Sequence, residues 1–128
     1  KNEFETALEL MPDSIEIMNN LGMALIKLSE SEKAKEIYAK VISLEPAFPE
    51  AYNNMGIIYK AEGDLENALA KFKQALDLDS TIEDIYVNIA KIYIEKEDYD
   101  KAKTYWEKVL EFNSNNDEAK SFFEKYHS

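Results

Sequence analysis

Apolar residues along the chain follow the spacing of one helix face, and the same pattern returns at a fixed interval. A large residue precedes an apolar-small pair by three positions, and a second large residue follows three positions after the small one. The three copies, 34 residues apart, are Met18, Leu21-Gly22 and Leu25; Tyr52, Met55-Gly56 and Tyr59; and Tyr86, Ile89-Ala90 and Tyr93. This spacing predicts an amphipathic helix. Its regular return predicts the first helix of a repeated unit.

A second apolar stripe follows each of these helices. It is built on an alanine and an aromatic residue four positions later, in the pairs Ala34 and Tyr38, Ala68 and Phe72, and Ala102 and Trp106. Short polar breaks with the potential to cap a helix separate the two stripes, at Ser29-Glu30, Gly63-Asp64 and Glu97-Asp98. Each unit is therefore predicted to be a helical hairpin. The small residues let its two helices approach, and the aromatics fill wider gaps between hairpins.

The pattern resembles the tetratricopeptide repeat, whose signature reads W-x2-L-G-x2-Y, then A-x3-F, then P. Pro46 stands at the proline position, whereas Ser80 and Ser114 replace proline in the later repeats, where we expect serine to end one helix and cap the next. The resemblance covers essentially the whole chain. It implies an all-α, right-handed α-solenoid of antiparallel helix pairs (a TPR superhelix), with three full repeats, an N-terminal half repeat and a C-terminal capping helix. The predicted segments of this single domain are 1–14 (second helix of a truncated repeat), 15–48, 49–82 and 83–116 (repeats) and 117–128 (capping helix).

The start of the chain differs from a complete repeat. Phe4 stands eight residues before Pro12, as Tyr38 does before Pro46, and a preceding partner helix is missing. We expect the stripe that begins at Phe4 to be partly exposed and to favour self-association. The chain lacks an initiator Met and begins inside a helical pattern, which indicates a piece of a longer protein.

The composition and charge of the chain limit the classes of partner that it is expected to bind. The hydrophobic share of 45% with only three Gly and three Pro favours long amphipathic helices. A net charge of -11 disfavours nucleic-acid phosphates and anionic lipids, and it favours a neutral or basic protein partner. The absence of cysteine excludes disulfides and thiolate metal sites; it fits a cytoplasmic protein, which we expect, and a periplasmic one equally. No apolar run approaches the roughly 18 residues of a membrane span.

Signatures of catalysis are missing from the sequence. The single histidine, His127, lies one residue from the end, where a general base would be poorly held. The glycines form no phosphate-binding loop. An apparent calcium loop that starts at Asp77 has Ile82 in place of the required Gly and Asn88 in place of the terminal Glu. We predict no enzymatic activity, no cofactor and no metal site.

In the family that the chain resembles, the first helices of successive repeats line a concave groove that binds ligands. Helical periodicity places polar and apolar side chains of each first helix on the groove side. It places Val87 on that side as well. The predicted peptide-binding residues are Asn19, Asn20, Met23, Asn53, Asn54, Ile57, Asn88 and Lys91, and the groove acids are Glu16, Glu50 and Asp84. Asn20, Asn54 and Asn88 recur at the repeat period, and a row of carboxamides can pair with the main chain of an extended peptide. The row resembles the asparagine ladder of the repeat domain of O-linked N-acetylglucosamine transferase, but it is equally compatible with a default scaffold role.

A comparison with another branch of the family is negative. Repeat domains that clamp the C-terminal carboxylate of heat-shock chaperones use Lys and Arg at positions that here hold Asn19, Met23, Asn54, Asp84 and Asn88. Only Asn54 matches the residue type that these clamp domains have at its position, and Asp84 would repel a carboxylate. We therefore expect a protein-protein interaction scaffold or adaptor that binds an extended peptide or helix of a partner in the groove. The alternatives are a structural self-assembly module and a non-catalytic regulatory part of a larger enzyme.

Overall fold

The computed structural model describes residues 14–126, in which every regular element is an α-helix and no strand occurs. The seven helices are α1 (Ile15–Lys27), α2 (Ser31–Leu44), α3 (Pro49–Ala61), α4 (Leu65–Leu78), α5 (Glu83–Glu95), α6 (Tyr99–Phe112) and α7 (Asp117–Lys125). This confirms the predicted all-α class. Residues 1–13 of the predicted N-terminal half repeat, with the expected exposed stripe from Phe4, lie outside the described residues, as does His127.

The described residues divide into two compact units, 14–78 with helices α1 to α4 and 79–126 with α5 to α7. In the first unit, α1 packs on α2, α3 packs on α4, and α2 also contacts α3. In the second unit, α5 packs on α6 and α7 packs on α6. Because turns of only a few residues join α1 to α2, α3 to α4 and α5 to α6, each pair is an antiparallel hairpin.

The turn inside each hairpin is closed by the same backbone device. Ser29, Gly63 and Glu97 adopt left-handed backbone conformations, with φ of 61°, 83° and 59°. The residue after each donates its N–H to a carbonyl five positions earlier, for example Asp64 N to Tyr59 O at 2.9 Å, as in a Schellman motif. The polar breaks seen in the sequence are therefore sites where the backbone reverses.

The residues that start the second helix of each hairpin differ in their capping. The side chains of Asp64 and Asp98 accept hydrogen bonds from the backbone N–H groups of Asn67 and Lys101, both at 3.2 Å. Glu30 occupies the equivalent N-cap without a side-chain cap bond. The capping expected at these three breaks is thus present at the two aspartates and absent at Glu30, whose longer side chain instead pairs with Lys33 at 3.0 Å.

Glycines in the first helices give room to aromatic rings of the second. A Cβ atom added at Gly22 would lie 2.5 Å from Tyr38 Cζ, and one at Gly56 would lie 2.6 Å from Phe72 Cε1. Both aromatic side chains are fully buried. We expected these rings to fill gaps between hairpins; the structure shows that each ring also presses against the glycine of its own hairpin. The small residue therefore leaves space for an aromatic ring, and it also lets the two helices of the hairpin approach closely.

Turns between hairpins do not use the substituted serines as caps. The N-caps of α5 and α7 are Ile82 and Asn116, so the expectation that Ser80 and Ser114 cap the following helix is wrong. The Tyr86 hydroxyl instead donates to the backbone carbonyl of Ser80 at 2.8 Å. The Tyr52 hydroxyl makes the matching bond to Pro46 O at 3.1 Å. A carbonyl acceptor is available from any residue, which explains why proline can be replaced here.

Candidate functional site

All of the predicted site residues lie on the first helices of hairpins, α1, α3 and α5. Those that are exposed are Glu16, Asn20, Met23, Glu50 and Asp84, and those that are half-buried are Asn19, Asn53, Asn54, Ile57, Asn88 and Lys91. Met23, with 43% of its surface accessible, is one of the most exposed large apolar residues. Positions three and four apart share a face of α1, so Glu16, Asn19 and Met23 form one surface.

Within the first unit, the structure joins two of the predicted residues directly. Asn54 on α3 donates from Nδ2 to Asn19 Oδ1 on α1 at 3.3 Å, and Nδ2 also donates to Tyr38 Oη on α2 at 3.1 Å. Tyr38 in turn donates its hydroxyl proton to the backbone carbonyl of Asn19 at 3.2 Å. A small polar network therefore links α1, α2 and α3. The amino group of Asn54 belongs to this network, which gives Asn54 a scaffold role.

Burial keeps the hydroxyl group of Tyr38 protonated. Burial raises the pKa of its hydroxyl far above the ordinary value, the hydrogen bond from Asn54 opposes that rise, and the negative charge of Glu50 adds to it. The hydroxyl is therefore protonated throughout the neutral range, and it can always donate to Asn19 O. The repeat pattern predicted only a core position for Tyr38. The sequence feature that could have indicated its role in the polar network is its hydroxyl group, at a position where the family signature has Phe.

Asp84, Asn88 and Lys91 belong to the second unit, where the local chemistry differs. Val87 occupies the place that Asn19 and Asn53 hold in the earlier hairpins, and only 8% of it is accessible. Helical projection placed Val87 on the groove surface; this is wrong, because its apolar side chain is buried. At this position α5 therefore has a buried apolar side chain, whereas α1 and α3 have half-buried asparagines.

Lys91 is already engaged with the C-terminal helix. Its Nζ pairs with Glu118 Oε2 at 2.6 Å, with both side chains about half-exposed at 40% and 54%. The pair stands at a cleft of about 410 Å³ between α5 and α7, which Trp106 and Phe122 also line. Trp106 is buried, and its Nε1 has no hydrogen-bond partner among residues 14–126. A ligand that uses Lys91 would compete with a solvated ion pair, a contact worth up to about 1 kcal/mol.

The described residues contain no cluster of three or more His, Cys, Asp or Glu side chains that could hold a metal ion. None of the helices between residues 14 and 126 has the length and apolar character needed to cross a bilayer. The predicted residues on α1 and α3 carry carboxamides that can form hydrogen bonds, negative charge at Glu16 and Glu50, and apolar side chains at Met23 and Ile57. On α5, Asp84 carries a further negative charge.

Repeated helical hairpins, with glycine and alanine set against aromatic rings, define a class of helical-repeat proteins. Models of the tetratricopeptide repeat match residues 59–125, 15–48 and 37–70. The chain belongs to the tetratricopeptide-repeat family. A search of curated protein sequences finds no match.

Solved structures share the fold at low sequence identity. A crystal structure of MamA is 21% identical with a TM-score of 0.82, and the match covers 95% of this chain and 74% of that one. The first tetratricopeptide-repeat domain of Spaghetti (RPAP3), bound to the HSP90 peptide SRMEEVD, is 22% identical with a TM-score of 0.80 and coverage of 87% and 90%. The tetratricopeptide-repeat domain of Arabidopsis OM64 is 20% identical with a TM-score of 0.80, and the match covers 88% of this chain and 93% of that one. For MamA of Desulfovibrio magneticus RS-1, the match spans only 64% of that chain.

Proposed function

We propose that this chain is a non-catalytic adaptor that binds an extended segment of a protein partner on the faces of its first helices. The observation that carries this proposal is the pair of carboxamides at Asn19 and Asn54, which α1 and α3 hold together at 3.3 Å. Fixed amides suit the main chain of an extended peptide, because Asn54 keeps an oxygen acceptor and Asn19 keeps an N–H donor, and neither depends on the peptide's side chains. Met23 and Ile57, one turn further along each helix, add apolar contact.

Charge supports a neutral or basic segment. Glu16 and Glu50 are both exposed, each on the turn before its asparagine, and the whole chain carries a net charge of -11. Acidic side chains raise the local concentration of cationic peptides and speed their association. The RPAP3 domain is bound to a peptide that ends in Glu-Glu-Val-Asp. With Asp84 in place of a basic residue, this chain suits peptides of the opposite charge.

The wider asparagine row belongs to the same proposal. Asn20 is exposed on α1 and Asn88 is half-buried on α5, and each is a further candidate for contact with a peptide main chain. This is the point of resemblance to the ladder of O-linked N-acetylglucosamine transferase. Asn54 differs from a simple ladder member, because its amino group is bonded to Tyr38 and Asn19. It contributes to a ligand through its oxygen alone.

A selection experiment tests the proposal. A displayed library of 12-residue peptides is selected on the full chain, and the affinities of the winners are measured by fluorescence anisotropy. Replacement of Asn20, Asn54 or Asn88 by Ala is expected to lower affinity by about 0.5–1.5 kcal/mol for each ligand hydrogen bond lost. A Glu16→Lys, Glu50→Lys variant is expected to lose the basic peptides. Winners that bind both sets of variants as well as the parent would contradict the proposal.

Two controls separate binding from other roles. Melting temperatures of the asparagine variants are measured beside their affinities: lost stability with unaltered affinity per folded molecule would leave the row as scaffold. Light scattering over a concentration series, without peptide, tests the self-assembly alternative. Growth of the particle mass with concentration would favour that alternative, and a constant monomer mass supports the adaptor.

A further inference from the structure

We infer that α7 is a lid that opens independently of the α5–α6 hairpin and uncovers Trp106. The lid belongs to the second unit, and it goes beyond the peptide proposal because it holds whether or not a segment binds at Asn19 and Asn54. The inference follows from the residues that replace the polar network of the first unit, from the cleft beside α7 and from the contacts that hold α7 in place.

The polar network that fastens α3 has no counterpart at α7. The three residues that form the network are Asn19, Tyr38 and Asn54. Two repeat periods later in the sequence stand Val87, Trp106 and Phe122. The side chains of valine and phenylalanine form no hydrogen bonds, so α5 and α7 cannot be joined as Asn19 and Asn54 join α1 and α3.

The third replacement leaves a polar group without a partner. The hydroxyl of Tyr38 donates one hydrogen bond and accepts another, whereas Trp106 Nε1 is buried and has no hydrogen-bond partner among residues 14–126. Burial of an unpartnered N–H group is unfavourable, because the group has lost its hydrogen bond to water. Opening of α7 relieves this cost once water reaches the indole ring.

The packing of α7 is one-sided. In the first unit, α3 contacts both helices of the hairpin before it, α1 and α2. In the second unit, α7 contacts α6, whereas no Cα atom of α7 lies within 8 Å of a Cα atom of α5. The space between α5 and α7 is the cleft of about 410 Å³. The α5 side of α7 therefore contributes little to the packing that opposes detachment.

Two polar contacts link α7 and its N-cap to α5. Glu118 pairs with Lys91 at 2.6 Å, and both side chains are about half-exposed. The N-cap residue Asn116 donates from Nδ2 to Glu83 Oε2 at 3.0 Å. A solvated ion pair of this kind changes an equilibrium by about fivefold at most. These contacts orient the first turn of α7, but they do not hold the rest of the helix.

Aromatic contacts with α6 supply the remaining attachment. Phe122 stacks on Trp106 with ring centroids 6.1 Å apart, and Tyr126 stacks on Tyr99 at 4.6 Å. Both tyrosines are partly exposed, whereas Phe122 is buried, so Phe122 is the main apolar anchor of the lid. A helix of nine residues is too short to be stable in water without such packing. Loss of this anchor is therefore expected to release α7 as a unit, while α5 and α6 keep their own contacts.

Native-state hydrogen exchange, followed by NMR on the full chain, tests the inference. Amides in the second half of α7 are expected to share one opening free energy and to exchange at least about tenfold faster than the slowest amides of α5 and α6. Their opening is also expected to depend less on added urea, because it exposes less surface than unfolding of the whole unit. Equal opening free energies and equal urea dependence in α6 and α7 would overturn the inference, because the helices would then open together.

The matched variants are Phe122→Ala and Phe123→Ala, which make the same change at neighbouring positions of α7. Only Phe122 stacks on Trp106. In Phe122→Ala, the opening of α7 is expected to increase on the order of a hundredfold, since removal of a buried aromatic side chain is among the most destabilising substitutions. In Phe123→Ala, whose side chain is half-buried, a much smaller increase is expected.

Fluorescence gives a second measurement, because Trp106 is the single tryptophan of the chain. Its emission is expected to shift to longer wavelength in Phe122→Ala, while the amides of α5 and α6 remain protected. Loss of protection in α6 to the same extent as in α7 would overturn the inference, as would unchanged emission with α7 still protected. The exchange experiment on the parent chain decides the question if Phe122→Ala fails to fold.

Discussion

Replacement of Gly56 by Ala sets two physical effects against each other. Gly56 lies inside α3, and in an exposed helix interior Ala is better than Gly by about 1 kcal/mol. On helix propensity alone, Gly56→Ala would therefore stabilise the protein. The contact with Phe72 predicts the reverse.

The magnitude follows from the space beside the glycine. A Cβ at this position would lie 2.6 Å from Phe72 Cε1 and 2.7 Å from Cδ1. Carbon atoms pack best at about 3.5–4.0 Å, so ring and helix would have to separate by about 1 Å. Phe72 is fully buried and has no free direction in which to move. Overpacking of this kind costs about 1–3 kcal/mol, and after the gain in helix propensity we expect a net loss of about 1 kcal/mol and at most about 2.

Urea denaturation followed by circular dichroism measures this, with Phe72→Leu and the double variant completing a thermodynamic cycle. Leucine removes the ring atoms that meet the new methyl group, so Gly56→Ala is expected to be neutral or slightly stabilising in that background. The coupling free energy between the two sites then reports the steric conflict alone. If Gly56→Ala stabilises the parent chain, or destabilises both backgrounds equally, the close ring contact does not explain the glycine.

Four further substitutions test the turns. Glu97→Gly relieves a left-handed backbone and is expected to raise the free energy of unfolding by up to about 1 kcal/mol, whereas Gly63→Ala is expected to lower it by about as much, both by urea titration. Tyr86→Phe removes the bond to a turn carbonyl and is expected to lower stability by about 1 kcal/mol, provided that its melting curve stays cooperative. Hydrogen bonds from the side chain and backbone of Asn67 lower the pKa of Asp64. Its contribution is therefore present above the ordinary aspartate range and lost as pH falls through the lowered pKa, so the stability of Asp64→Asn is expected to depend less on acidification between about pH 5 and pH 2.

Periodicity predicted the helical hairpins because the residues that make a hairpin are close in sequence. The pairs Gly22 with Tyr38 and Gly56 with Phe72 appeared in the sequence as small and aromatic positions at fixed offsets, and the structure places them in contact. The Tyr38 network was beyond such reasoning, since it depends on rotamers of residues 16 and 35 positions apart.

Other expectations were wrong where a local signal competed with packing. Val87 follows the groove periodicity, but as an apolar side chain it is buried. Ser80 has a suitable side chain for a cap, but the cap position falls two residues later, at Ile82. The groove residues themselves remain predictions, because exposure and spacing do not say what a surface binds.

The hydroxyls of Tyr52 and Tyr86 each reach back six residues to the carbonyl of Pro46 or Ser80. Such a bond depends on the number of residues between the tyrosine and the acceptor carbonyl, and it does not depend on which amino acid carries that carbonyl. Point substitutions at these turns are therefore expected to accumulate with little effect, while insertion or deletion of one residue would carry the carbonyl out of reach. The turns between hairpins can thus vary in composition during evolution, but their length is constrained.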